Sequence, residues 1–290
     1  MTNTFTDDIR QTWIPRYGAV AVLIVLNVGV YIVLTVSGLL AFFMGLWKPF
    51  DGVLNYLRLP SNLTELLWRP WTVFTHAVFH HPADVLHILF NMLWLFWMGR
   101  IFRDYHGDRQ VYGVFLYGVL AGAVVYLLAY NLLPVFSSQL AYLNGASAGV
   151  SALIVAAATW APNHTVFTLL GPIRLKWIAL ILVLLDLALI PQSNPGGRLA
   201  HIGGVVLGFV FARQLAAGVD WSAPLAFLTQ ERSDRSTRSL RVSHRSKPAP
   251  LTPQQEIDRL LDKIAAVGYD KLTAEEKKRL HDAGSGDLRL

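Results

Sequence analysis

The feature that most constrains the fold is a series of long apolar runs between residues 18 and 212. Hydrophobic residues make up 53% of the 290 residues and charged residues only 15%, which is unusual for a soluble globular protein. Several runs are long enough to cross the ~30 Å hydrocarbon core of a bilayer. We therefore predict an all-α polytopic membrane protein with six transmembrane helices, over residues 18–43, 83–98, 111–133, 145–160, 177–190 and 199–212.

Basic residues follow the second, fourth and sixth runs and are sparse after the third and fifth. Arg100 and Arg103 come after the second run, Arg174 and Lys176 after the fourth, and Arg213 after the sixth. Positively charged loops stay on the cytoplasmic side of a membrane, so this pattern predicts that both termini are cytoplasmic. We therefore expect the basic residues that give the net charge of +6 to lie beside anionic lipid, and we expect no nucleic-acid partner.

The segments outside the spans have distinct compositions. Residues 1–17 form a polar cytoplasmic leader, and the aromatic-rich connection 44–82 is predicted to lie at the membrane interface. The membrane domain covers 18–213. A flexible basic linker follows over 214–251, and two short capped helices are predicted in a cytoplasmic tail over 252–290. The chain has no cysteine, which excludes thiolate catalysis and disulfides.

Polar side chains lie near the outer ends of three parallel spans. At about 1.5 Å per residue, Ser147, His201 and His87 lie roughly 18–20 Å from the inner boundary, and Asn91 roughly 14 Å. A histidine inside a membrane is costly and usually functional, and with a serine it supplies a general base and a nucleophile. His87 and Asn91 share a helix face and could both donate to an oxyanion, together with the Ser147 backbone N–H.

Nothing in the sequence places a carboxylate beside His201, so we expect a Ser–His dyad. Asp186 lies near the outer end of the fifth run, where it is either functional, as intramembrane carboxylates usually are, or simply solvated. Ser151, one turn deeper than Ser147 on the same face, is an alternative nucleophile.

Four motifs in this chain resemble those of rhomboid intramembrane serine proteases. The resemblance covers residues 18–212 and implies a six-helix rhomboid bundle in a bacterial inner membrane. It further implies cleavage of transmembrane protein substrates within the lipid bilayer and without a cofactor. The motifs are Trp68-Arg69, His87-Ile-Leu-Phe-Asn91, Gly145-Ala-Ser147 and Ala200-His201-Ile-Gly-Gly204-Val-Val-Leu-Gly208.

The same resemblance implies roles for individual residues. Ser147 is the implied nucleophile, His201 the general base, and His87 and Asn91 the oxyanion donors. Among the packing residues, Gly204 and Gly208 would let the sixth span approach the fourth, Gly145 belongs to the serine motif, and Trp68 and Arg69 would hold the external connection. The chain departs from the family's pattern at Ala148, where glycine is usual, and at Ser151, where an aromatic ring is usual.

Other interpretations remain open at this point. A catalytically inactive rhomboid-like protein that binds membrane clients would share the fold, and a transporter could also carry polar groups within the membrane. His76, His80 and His81 precede the second span near Asp84. Two histidines four residues apart can share a metal ion, but we expect a water-retaining polar lining and no metal.

Overall fold

The computed structural model describes residues 9–137, 139–168, 171–229 and 253–284, and its contacts divide the chain into two units, 1–230 and 231–290. In the first unit, a bundle of apolar helices is joined by connections that contain short helices and strands. Its α-helices are α1 (Ile14–Phe43), α2 (Trp47–Leu54), α3 (Leu63–Trp68), α4 (Thr72–Thr75), α5 (Val85–His106), α6 (Asp108–Leu132), α7 (Ser147–Trp160), α8 (Leu175–Leu189) and α9 (Pro195–Ala216).

The apolar runs of the sequence are all helical, as expected for an all-α membrane protein. Among the described residues, α1, α5, α6 and α9 are long and apolar enough to cross a membrane. The other two apolar helices, α7 and α8, have 14 and 15 residues, so they rise only about 21–23 Å, less than the ~30 Å core. Neither helix is long enough to cross that core by itself.

Helices α5 and α9 both extend beyond the predicted spans. The second helix continues to His106, beyond the predicted end at 98, because Arg100 and Arg103 are good helix formers that leave its hydrogen bonding unbroken. The sixth begins at Pro195, four residues before the predicted start at 199. Asn194, at φ 46°, accepts a hydrogen bond from Gly197 N–H (3.1 Å). The apparent turn sequence is thus an N-cap followed by proline at the first helical position.

Helix α7 packs against α5, α6, α8 and α9, and close approach to α9 depends on small residues. A Cβ at Gly204 would overlap the carbonyl oxygen of Ala148, and one at Gly208 would overlap that of Ala152. The backbones of α7 and α9 are therefore in direct contact along one face. A larger residue at either glycine would force the two helices apart.

The connection between α1 and α5 is an ordered layer of short elements. Strand β1 (Leu59–Pro60) pairs antiparallel with β2 (Tyr142–Leu143), which ties this connection to the segment before α7. Arg69 pairs with Glu65 and lies 3.9 Å from the centroid of the Tyr56 ring, whereas the Trp68 side chain is largely exposed. Arg69 thus holds the layer together, and exposed aromatic and aliphatic side chains give the layer an apolar outer surface.

The two small strand pairs were not predicted. Besides β1 and β2, strands β3 (Thr165–Thr168) and β4 (Gly171–Arg174) pair antiparallel between α7 and α8, with Thr165 opposite Arg174. Pairs of two to four residues carry too few positions for an alternating pattern to be recognised. They do not alter the all-α class of the bundle.

Ion pairs hold together the end of the bundle opposite Ser147. Asp108 pairs with Arg103 and accepts a hydrogen bond from Ala19 N–H (2.9 Å), where Gly18 at φ 52° interrupts α1. Arg109 donates to Asp220 (2.6 Å), whose carboxylate also accepts from the Ser222 hydroxyl (2.6 Å). These five charged or polar residues, Arg103, Asp108, Arg109, Asp220 and Ser222, are named the ion-pair cluster below.

The first residues of the predicted linker over 214–251 are folded. Helix α9 continues to Ala216, a 3₁₀ helix covers Ala223–Leu228, and Tyr117 on α6 donates to the carbonyl of Trp221 (3.0 Å). These contacts make residues 214–229 part of the first unit. The remainder of the predicted linker, 230–251, lies outside the described residues.

The second unit contains two short helices, α10 (Pro253–Val267) and α11 (Ala274–Gly284). Thr273 and Glu276 form a capping box at the start of α11, with Thr273 N–H donating to Glu276 (2.8 Å) and Glu276 N–H to Thr273 (3.3 Å). Lys263 on α10 pairs with the same carboxylate at 2.6 Å. Thr252, the predicted cap of α10, lies outside the described residues.

Candidate functional site

A cavity of about 450 Å³ opens among α5, α7, α8 and α9. Its wall contains all four residues that the sequence singled out for chemistry, and it also contains Ser151. Apolar side chains from α5 and α8 form the rest of one wall. The polar lining consists of Asp84, His87, Asn91, Ser147, Ser151, Asp186, Arg198 and His201.

Ser147 is the first residue of α7. The first N–H groups of a helix have no partner within it, and the helix dipole adds partial positive charge there. Gly145, at φ 110°, forms the turn into the helix, and a Cβ there would lie 2.8 Å from the His87 ring. The serine therefore lies beside free backbone donors, and the glycine admits the His87 ring.

His87 and Asn91 lie one turn apart on α5. Asn91 Nδ2 donates to the His87 carbonyl (3.0 Å), and the His87 ring nitrogen Nδ1 lies 3.3 Å from Asp84. Asp84 also caps the helix, because its side chain accepts from His87 N–H at 3.2 Å. The two side chains are thus held at the same wall of the cavity by the start of α5.

His80 was placed in a water-retaining lining by the sequence analysis, but it is fully buried beneath the site. Its Nε2 lies 3.3 Å from the Asn91 amide nitrogen and 3.5 Å from Ala146 N–H. Both of those nitrogens are donors, so His80 accepts through Nε2 and carries its proton on Nδ1. Burial lowers the pKa of His80 to about 4, and this keeps the ring neutral.

His76 is also buried, and His81 is not part of the cavity. The Gly145 N–H donates to the His76 carbonyl (2.8 Å), and burial lowers the pKa of the His76 ring to about 4. His81 lies 3.6 Å from Asp51. Within the described ranges, no three histidine or carboxylate side chains come together as a set of metal ligands.

His201 has a carboxylate partner that the order of residues did not indicate. Its Nδ1 lies 3.0 Å from Asp186 Oδ2, and Arg198 Nη1 donates to the other carboxylate oxygen at 3.1 Å. This contact forms because the turn between α8 and α9 folds the end of α8 back beside the start of α9. The only sequence signal was the presence of a carboxylate inside an apolar run.

The described residues contain no hydrogen bond between the Ser147 hydroxyl and the His201 ring. Both side chains nevertheless line the cavity, and catalytic hydrogen bonds are often long before a substrate binds. Ser151 lines the same cavity one turn further along α7, so the structure leaves it as a second hydroxyl at the site. Ala148 is buried, with its carbonyl against Gly204.

The fold and the cavity together define a polytopic α-helical membrane protein with a polar site, containing serine and histidine, inside its helix bundle. The family model of the Rhomboid domain matches residues 67–217, just over half of the chain. The chain therefore belongs to the rhomboid family, whose members are typically serine proteases. Residues 251–283 match a family of unknown function (DUF6576). No curated protein matches the chain.

Proposed function

We propose that this chain is an intramembrane serine endopeptidase that cleaves transmembrane segments of membrane proteins. Ser147 is the nucleophile and His201 the general base, with His87, Asn91 and the Ser147 backbone N–H as oxyanion donors. The observation that carries the proposal is that the side chains of all four residues line one cavity, at the start of a helix with free backbone donors.

The chemistry follows from these positions. His201 accepts the hydroxyl proton as Ser147 Oγ attacks the scissile carbonyl carbon, and the carbonyl oxygen becomes an oxyanion. Donors directed at that oxygen stabilise its negative charge, which is usually the largest single contribution to such catalysis. His201 then gives the proton to the leaving amine, and water hydrolyses the acyl-enzyme by the same steps in reverse order.

The apolar wall of the cavity supports a membrane-embedded substrate. Leu86 and Phe90 on α5 and Leu185 on α8 line the cavity and are also exposed on the bundle surface. An exposed apolar face is compatible with lipid and with an apolar peptide segment, but a soluble peptide would not be drawn to it. A transmembrane segment could therefore approach from the side of α5 and α8.

The remaining assignments are also proposals. The protease unit comprises residues 18–213, in a bacterial inner membrane with both termini in the cytoplasm, and it works without cofactor or metal. The basic residues after the second, fourth and sixth spans support this orientation. The leader 1–17 and the tail 252–290 lie outside the proposed protease unit.

The decisive test is labelling of the detergent-solubilised full chain with a fluorophosphonate probe. We expect labelling of the wild type, its loss in Ser147→Ala and His201→Ala, and near-normal labelling in the matched control Ser151→Ala. If the label depends on Ser151 and not on Ser147, the nucleophile is misassigned. If no form is labelled although each is folded, the inactive client-binding alternative is favoured.

A further inference from the structure

We propose that Asp186 is a positioning residue that fixes the orientation and tautomer of His201, so that the site operates as a Ser147–His201–Asp186 arrangement instead of a dyad. The proposal deepens the proposed protease function and rests on it for the roles of Ser147 and His201. The contact between Asp186 and His201 itself does not depend on that function.

The geometry is that of an ion-paired carboxylate directed at one ring nitrogen. Asp186 Oδ2 lies 3.0 Å from His201 Nδ1, and the two side chains are only 16% and 22% exposed. An ionised carboxylate can only accept hydrogen bonds, so His201 Nδ1 must carry a proton to make this contact. A neutral His201 ring then has its lone pair on Nε2, the nitrogen that a general base needs for the serine proton.

Arg198 holds the other oxygen of the Asp186 carboxylate. Arg198 lies about one turn before His201 on the same face of α9, and its Nη1 donates to Asp186 Oδ1 at 3.1 Å. The guanidinium is itself fixed, because its Nε donates to the Ser193 carbonyl at 2.9 Å. Asp186 is thus held from the side away from His201, and its second oxygen is left to accept from the ring.

A purely structural explanation is that Asp186 only fastens the end of α8 to the start of α9. On that explanation, losing Arg198 or losing Asp186 should have similar consequences, since either loss breaks the same ion pair. The positioning role predicts different consequences. Removal of Arg198 leaves the carboxylate beside His201, whereas Asp186→Asn replaces the acceptor with an amide of nearly the same shape.

The first measurement is the tautomer of His201 by nitrogen-15 NMR of the histidine-labelled full chain, with the resonances assigned by comparison with His201→Gln. We expect a proton on Nδ1 in the wild type and in Arg198→Gln. In Asp186→Asn the amide oxygen faces Arg198 and its N–H faces the ring, so the proton should move to Nε2. An unchanged tautomer in Asp186→Asn, or a wild-type proton on Nε2, would overturn the proposal.

The second measurement is cleavage of a reconstituted transmembrane reporter, with kcat and KM determined separately. We expect Asp186→Asn to lower kcat by about 100-fold with KM within about threefold, less than the ~10⁴-fold loss for the same change in soluble triads, because this pair is partly exposed. The reduction in kcat for Arg198→Gln should be at least about tenfold smaller than that for Asp186→Asn. Equal losses in the two variants would leave Asp186 as a helix fastener only.

Together with the fluorophosphonate labelling, these two measurements separate failure of this proposal from failure of the proposed function. If the wild type shows no labelling at Ser147, the protease assignment fails, whereas the tautomer comparison still decides whether Asp186 positions His201. If the wild type is labelled and Asp186→Asn keeps both its tautomer and its kcat, the protease stands and the positioning role is rejected.

Discussion

The two ends of the helix bundle both contain charged and polar residues, but they use them differently. At one end, the ion-pair cluster joins α5, α6 and the segment after α9 through mutual contacts such as Arg109 to Asp220 at 2.6 Å. At the other end, polar side chains from the starts of α5, α7 and α9 face an open cavity of about 450 Å³. Helix α5 contributes residues to both ends, and α9 leads from the cavity to the segment that contains Asp220.

The difference lies in how completely the polar groups are paired. Burial opposes ionisation of Asp220, but hydrogen bonds from Ser222 and the positive charge of Arg109 outweigh that effect and lower its pKa. The Asp220 carboxylate therefore makes its hydrogen bonds with other residues of the ion-pair cluster. At the cavity, the Ser147 hydroxyl and the first N–H groups of α7 keep capacity for a ligand. Paired groups stabilise the bundle, whereas unpaired ones are available for chemistry.

The largest expected effect is at the cavity. Replacing Ser147 or His201 by alanine should lower the cleavage rate of a transmembrane substrate by more than about 10³-fold, because each change removes a group that takes part in bond making. The apparent melting temperature should stay close to that of the wild type, since neither side chain belongs to the ion-pair cluster. A rate within tenfold of wild type in Ser147→Ala would contradict the assignment of the nucleophile.

A second effect at the same end should be smaller. Asn91→Ala removes one oxyanion donor, and such losses cost about 10²–10³ in kcat. We expect the lower value, about 100-fold, because the Asn91 amide already donates to the His87 carbonyl and lies near His80. The matched control is Ser151→Ala, which should change kcat by less than about threefold. A large change in KM with unchanged kcat would indicate a substrate-binding role instead.

These positions show how far the sequence could lead. Apolar runs and a fixed rise per residue placed Ser147, His201 and His87 at one depth, because both properties are local to each helix. The Asp186 contact could not be found in this way. It depends on the backbone at Asn194, at φ 46°, which reverses the chain between α8 and α9, and positive φ at a non-glycine residue has only a weak sequence signal.

The burial of His76 and His80 is a second feature that the sequence did not predict. A spacing of four residues predicted that His76 and His80 share a face, but it did not predict that both would be buried beneath the serine turn. Their burial arises from the layer of short elements before α5, whose packing involves β1 and β2 from distant parts of the chain. Nonlocal contacts of this kind leave no periodic pattern in the sequence.

Acidification should weaken the cavity end before it weakens the ion-pair cluster. Burial lowers the pKa of His76 from 6.5 to about 4, so the unfolded chain binds a proton between these values that the folded chain does not. Stability is therefore retained above pH 6.5 and lost as the pH falls towards 4, by on the order of 3 kcal/mol for this residue. Thermal unfolding between pH 7 and 5 should show the decrease, and His76→Gln should reduce its pH dependence. A melting temperature independent of pH over this range would contradict the prediction.

The smallest expected effect is at the ion-pair cluster, and it concerns stability. Arg109 and Asp220 have side chains 20% and 26% exposed, so breaking their contact by Asp220→Asn should cost about 1–2 kcal/mol, below the ~3–5 kcal/mol of a fully buried pair. The cleavage rate of the folded variant should stay within about threefold, because the change lies at the opposite end of α9 from His201. The matched control is Asp104→Asn. The Asp104 side chain is 60% exposed and its contact with Arg100 is long, at 3.9 Å, so this change should leave the melting temperature nearly unchanged. A loss of activity in Asp220→Asn without a loss of stability would show that the two ends are coupled, and the contrast between a paired end and an open end would then have to be abandoned.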